Sequence, residues 1–221
     1  MRNRQKPQAD WNYSTWASDE NDSSYIKAAF RKARETDPDA LLVLNDFQNE
    51  EEGFWKADEF YDFVLALKNE VPPVPIDGVG FQMHLYNKPD GSCCELDPNN
   101  PPIDFAKVDS NIKRYADIGV KVVFSEVDIR IKTSDIDVST EAGKQVLISR
   151  RARQAEAFRQ LMHIALSNGN VIAFLNWQLT DKFAPVDSRP VFEDYNEPFL
   201  FDSDYNPKPA YYALLDELKG N

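Results

Sequence analysis

Four short apolar runs punctuate this sequence, each preceded by a segment of helical periodicity and each ending in polar residues. They occupy residues 40–46, 76–82, 120–126 and 171–177. Because they lack apolar–polar alternation, they fit strands covered on both faces, as parallel strands are, and not half-solvated antiparallel ones. Between them lie predicted helices. One spans 25–34, with Ile26, Ala29, Phe30 and Ala33 on one face, Ser23 and Ser24 placed to cap it, and Asp37 and Pro38 stopping it. Others cover 55–68 (Phe60, Phe63, Val64, Leu67 inward), 104–118 (Phe105, Val108, Ile112, Tyr115 inward), 140–167 and 209–218. Helix and strand thus alternate, which predicts repeated βα units with four strands and five helices. Residues 86–102 are the longest stretch without periodicity and read as a loop.

Each run delivers chemistry at its C-terminal end: Asn45 and Asp46, then Gln82 to His84, then Glu126 to Asp128, then Trp177. In a (β/α) barrel the strand C-termini converge on one face, and catalytic groups collect there. A closed barrel needs eight strands and about 250 residues; this chain has 221 and supplies half the strands. A formal net charge of −12 opposes attachment to nucleic acid or an anionic membrane, so neither is an expected partner. No stretch approaches the ~20 apolar residues that span a bilayer, and the first ten residues lack the apolar centre of a secretion signal. Cys93 and Cys94 are neighbours, an awkward geometry for a bridge, and are read as thiols.

The order of these motifs is more specific than any one residue. Asn45-Asp46-Phe47, the segment GVGFQMH ending at His84, the segment SEVD from Ser125 to Asp128, and WQLTDK from Trp177 to Lys182 follow the order and spacing of the last four strands of glycoside hydrolase family 10, the xylanase family. Residues 200–211, LFDSDYNPKPAY, are similar to that family's closing signature. The resemblance implies an α/β fold, a partial (β/α)8 TIM barrel made of strands five to eight with their helices plus the preceding helix. It makes residues 1–221 the C-terminal half of a catalytic domain. It further implies a retaining endo-1,4-β-xylanase fragment acting on β-1,4-xylan or xylo-oligosaccharide, with Glu126 as nucleophile. A retaining glycosidase needs such a carboxylate, with an acid/base carboxyl roughly 5–5.5 Å away.

By the same resemblance His84 holds the nucleophile and Asp128 holds the imidazole from its other nitrogen, fixing rotamer and charge. Asn45, Phe47, Gln82 and Trp177 are the expected substrate-binding residues, Trp177 by stacking a flat ring on a sugar. Taken alone, Glu126 reads as a surface glutamate, His84 as a packed histidine and Trp177 as core. No metal ligand spacing or phosphate-cradling loop stands out, and no cofactor is expected. Arg150, Arg151 and Arg153 read as a solvated helix face, and His163 as structural.

The sequence departs from the family pattern in three places. Phe47 stands where a tyrosine is common, and Ala184-Pro185 where a second tryptophan is expected. The family's acid/base glutamate follows an asparagine at the end of the fourth strand and is expected upstream of Met1. Asn49-Glu50 follows the wrong strand to replace it, and Asn69-Glu70 and Asn196-Glu197 have less claim. The expected partners are therefore the polysaccharide and the missing N-terminal half-barrel or a second copy of the chain. Family resemblance implies a secreted protein. Competing readings are a non-catalytic sugar-binding or half-barrel assembly fragment, and another β-glycanase on the same barrel.

Overall fold

The computed structural model describes residues 23–95, 100–184 and 194–220. In chain order the elements are α1 (Ser24–Thr36), β1 (Val43–Asp46), α2 (Trp55–Lys68), β2 (Gly78–Phe81), β3 (His84–Asn87), β4 (Cys93–Glu95), α3 (Phe105–Asp117), β5 (Lys121–Lys132), α4 (Glu141–Ser167), β6 (Val171–Asn176), a single 3-10 turn (Asp181–Phe183), β7 (Tyr195–Asn196) and α5 (Pro209–Lys219). The four apolar runs become β1, β2, β5 and β6, which pair in parallel in that spatial order. A helix crosses over between each consecutive pair, as parallel pairing requires. Among the described residues β1 and β6 pair along one side only, so this sheet is an open arc.

Local chemistry accounts for the helix boundaries. The Asp104 carboxylate accepts from the Ala106 N–H at 3.0 Å and starts α3, and the Thr140 hydroxyl accepts from the Gly143 N–H at 3.0 Å and starts α4. Such caps satisfy backbone donors that have no helical partner. Ser23 occupies the cap position of α1, but its side chain makes no capping bond, contrary to expectation. Ala29 of α1 is exposed, whereas Ile26 and Phe30 rest on Leu67, Val74 and Ile76.

The main core lies between the sheet and the helices. Phe60 and Val64 of α2, Val108, Ile112 and Tyr115 of α3, Phe158 and Leu161 of α4, and Leu214 of α5 close over Val79, Phe81, Val122 and Phe124. Register puts Phe81 beside Phe124 and Phe124 beside Phe174. Their rings form a ladder with centroids 6.2 and 5.7 Å apart, within the range of favourable aromatic contact. Each fully buried phenylalanine in such a core contributes about 1.5–3 kcal/mol.

Three expectations need correction. The stretch 86–102 is not simply a loop: β3 and β4 pair antiparallel there, Tyr86 opposite Cys94. β5 continues six residues past Glu126, where Val127, Ile129 and Ile131 are buried and alternate with Asp128, Arg130 and Lys132. That extension carries β3 and β7 and raises the strand count to seven among the described residues. Finally, the arginines of α4 are not a solvated face. Arg150 is buried and forks onto Asp135 at 2.5 and 2.9 Å, Arg151 forks onto Glu197 at 2.7 and 3.0 Å, and Arg153 donates to the Pro89 carbonyl. These arginines reach acceptors beside the β5 extension, and fork-shaped guanidinium donors suit that polar seam. His163 is largely exposed and pairs with Glu217 at 2.7 Å. Among the described residues no helix is long and apolar enough to cross a membrane.

Candidate active site

The site forms where the register of the sheet breaks. β5 pairs with β6 through Phe124 and Phe174, and next through Val127 and Asn176, so β5 holds one more residue than its partner. Ser125 and Glu126 occupy that bulge. An extra residue bends a strand and re-aims a side chain, a common device beside functional groups. Beyond the bulge, His84 stands in register with Asp128 across the β3–β5 pair, and Glu126 and Asp128, two residues apart, share one face of the strand.

The side chains meet accordingly. Glu126 Oε1 accepts from the Asn45 amide nitrogen at 2.9 Å, and Glu126 Oε2 lies 3.3 Å from His84 Nε2. His84 Nδ1 is 2.7 Å from Asp128 Oδ2, and Asp128 is 1% exposed, with Arg130 Nε 3.7 Å from its other oxygen. The imidazole therefore bridges two carboxylates. Burial acts most strongly and pulls its pKa down, but the Asp128 hydrogen bond and the charges of Asp128, Glu126 and Glu50 outweigh burial, so the net shift is upward from the ordinary histidine value. A protonated imidazole donates from both nitrogens, which matches two acceptors.

Asn45 reaches Glu126 only because its neighbour is a glycine. Asn45 pairs with Gly80 across β1 and β2, and a Cβ at Gly80 would stand 2.1 Å from Asn45 Oδ1. The Ser125 hydroxyl donates to that oxygen at 2.6 Å, completing the hold on the amide. The indole of Trp177, half exposed, meets His84 edge to face with centroids 6.0 Å apart, and its N–H backbone group donates to the Val127 carbonyl. Phe47 is also partly exposed, but Lys56 Nζ sits 3.3 Å over its ring and 3.0 Å from Asp46 Oδ1, so one ring face is occupied. Gln82 lies half-buried at the rim, its backbone N–H donating to the Asp46 carbonyl.

The structure thus brings Glu126, His84, Asp128, Asn45 and Trp177 into one cluster, and places Phe47 and Gln82 on its rim with no hydrogen bond to Glu126. Sequence reasoning overlooked Ser125, Lys56 and Gly80. Ser125 is the sequence neighbour of Glu126, and Gly80 interrupts a buried strand, a known sign that something approaches closely; nothing in the sequence marks Lys56. Ala184 follows the 3-10 turn as a described residue, whereas Pro185 lies outside the described residues.

Comparison with known proteins agrees with this architecture. The model of glycosyl hydrolase family 10 matches residues 3–217. Endo-1,4-beta-xylanase B of Thermotoga neapolitana is 32% identical over 192 residues, 87% of this chain and 47% of that protein. The endo-1,4-beta-xylanase of Geobacillus stearothermophilus is 31% identical over 208 residues, 92% of this chain and 56% of that protein. Among solved structures, xylanase 10B from Thermotoga petrophila RKU-1, in complex with xylobiose, superposes with a TM-score of 0.72 at 33% identity, covering 90% of this chain and 52% of that one. An intracellular xylanase from Thermoanaerobacterium saccharolyticum, with xylotetraose bound, gives a TM-score of 0.63 at 30% identity, covering 86% and 49%. This chain spans about half the length of these relatives, and its parallel strands and helices form part of a (β/α)8 barrel. Matched over nearly its whole length, the chain belongs to glycosyl hydrolase family 10.

Proposed function

We propose that this chain is the C-terminal half of a retaining endo-1,4-β-xylanase domain, in which Glu126 is the nucleophile. The observation that carries this reading is the Glu126 carboxylate held between the Asn45 amide and the His84 imidazole at the bulge of β5. Such a group attacks the anomeric carbon of a xylose unit, and one of its oxygens bonds to that carbon as the glycosidic C–O bond breaks; water then releases the sugar with retained configuration. His84 and Asp128 keep the carboxylate ionised and oriented, Asn45 and Gln82 bond sugar hydroxyls, and Trp177 and the open face of Phe47 stack on the rings.

The departing alcohol needs a proton, and in this reading the acid lies on another part of the barrel. The Asn–Glu pairs of the described residues support that. Glu50 is buried and accepts from the Met83 N–H at 2.9 Å, Glu70 pairs with Lys27 and Arg31, and Glu197 with Arg151. In this reading the preceding half of the barrel supplies the acid and also completes the sheet along β1 and β6; a second copy would pair the same open edges without supplying the acid. A polymeric substrate argues for work outside the cell, although the Thermoanaerobacterium saccharolyticum relative is described as intracellular.

Leaving-group dependence tests both parts. The dinitrophenolate of a dinitrophenyl β-xylobioside departs without protonation, whereas the sugar alcohol of xylan requires the acid. The chain alone is expected to hydrolyse the aryl glycoside in a Glu126-dependent way, while its rate on xylan is lower by about 10²–10⁴-fold than an acid-assisted enzyme's. Rapid xylan hydrolysis by the chain alone contradicts the absent acid, and aryl glycoside turnover that survives Glu126→Ala contradicts the nucleophile.

A further inference from the structure

Beneath the site lies a third carboxylate, which the proposed reaction does not use. Glu50 is 2% exposed, and one of its oxygens accepts from the Met83 N–H at 2.9 Å. Met83 is buried with φ +58° and directly precedes His84. A non-glycine residue in that left-handed region is uncommon, and surrounding structure must hold it there. The segment bearing Glu50 is itself tied down. Asn49 donates to the Gly80 carbonyl at 2.9 Å, and the buried Asn111 of α3 donates to the carbonyls of both Asn49 and Glu50 at 2.8 Å. Arg114 fixes Asn111 in turn at 2.7 Å, and pairs with Asp58 of α2. Two helices therefore brace the segment that bears this buried carboxylate, at the turn that aims His84.

We propose that Glu50 is a positioning residue for His84: its carboxylate locks the Met83 turn and places a third negative charge behind the imidazole. The inference rests on reading Glu126 as the nucleophile, because an imidazole kept cationic holds that carboxylate ionised and in place. The charged groups that act on His84 are Asp128 and Glu126 of β5, which touch it, and Glu50, one residue removed through its bond to the Met83 N–H, with Arg130 reaching Asp128 from the same strand. Surplus negative charge, in a buried setting where charges are poorly screened, favours the protonated ring.

The sign follows from linkage. His84 titrates above the unfolded value, so the stability gained from its protonated form is complete below the unfolded pKa, about 6.5, and is lost as pH rises through the folded one. Removing the Glu50 charge brings that loss to lower pH.

The chain has two histidines, His84 and His163, so ring proton resonances of the full chain followed against pH separate them once His163→Gln has assigned the pair. Glu50→Gln keeps an acceptor for the Met83 N–H and removes only the charge. The expected result is a downward shift of the His84 midpoint toward the ordinary value, with His163 unmoved and the thermal transition little changed. Glu50→Ala is expected to lower the midpoint and the thermal transition together. A His84 midpoint equal in Glu50→Gln and parent, or an equal shift of both histidines, overturns the proposal. The parent chain supplies a check that needs no variant: the Met83 amide is expected to be strongly protected from hydrogen exchange, and exchange at open-loop rates overturns the lock. The titration uses no substrate, so its failure leaves Glu126 as nucleophile untouched, while loss of Glu126-dependent chemistry leaves the titration result standing.

Discussion

At the scale of residues, the candidate nucleophile depends on a glycine it never touches. Gly80 leaves room for Asn45 to lie over β2, and only from there does the amide reach Glu126 and Ser125. In Gly80→Ala the new methyl group forces the Asn45 side chain aside while the backbone pairing of β1 and β2 persists. Losing a hydrogen bond to a charged group costs about 1.5–3 kcal/mol, so a rate loss of about tenfold to a hundredfold on an activated aryl xylobioside is expected. The double variant Asn45→Ala/Gly80→Ala is expected to be no slower than Asn45→Ala alone, since both act through one bond. Additive losses in the rate cycle contradict the argument. Glu126, His84 and Asp128 were legible because two of them share a strand face and the third ends another apolar run. Glu50 was not: the sequence shows an Asn–Glu pair in a loop, and only the fold reveals that its carboxylate turns inward to the Met83 amide.

At the scale of elements, the parallel strands and crossover helices could be read from apolar runs and helical periodicity, with ends displaced by at most three residues apart from the end of β5. What escaped was the second half of β5. Alternation of Val127, Asp128, Ile129, Arg130, Ile131 and Lys132 marks a half-buried strand, but it begins where a catalytic loop is expected, and β3, β4 and β7 assemble only on that extension. The closing segment gains a physical explanation from the same level. Lys208 Nζ lies 2.8 Å from Asp181 Oδ2 with both side chains almost wholly buried, and it also donates to the Glu197 carbonyl at 2.7 Å. Burial pushes the lysine pKa down and the aspartate pKa up, yet the pair joins the 3-10 turn beside the site to the start of α5. Breaking a buried pair strands a charge, so Lys208→Met is expected to lower unfolding stability by about 3–5 kcal/mol, and Asp181→Leu/Lys208→Met to recover much of it. Urea unfolding measures both. A double variant as unstable as the single one means that the pair does more than neutralise its own charges.

At the scale of the whole molecule, one feature governs the rest: the parallel sheet brings a carboxylate at the bulge of β5 and an imidazole at the start of β3 together, beside a half-exposed indole, in a chain about half the length of its relatives. If Glu126 is the nucleophile, it forms a covalent bond to sugar even where no acid assists departure. A 2-deoxy-2-fluoro-β-xylobioside with a dinitrophenolate leaving group isolates that step, because the fluorine slows release of the sugar while the leaving group keeps attachment feasible. Incubated with the chain, digested and analysed by mass spectrometry, it is expected to add one fluoroxylobiosyl group to the peptide containing Glu126, and none in Glu126→Gln. Attachment to any other carboxylate, or no attachment in a folded chain, contradicts the account.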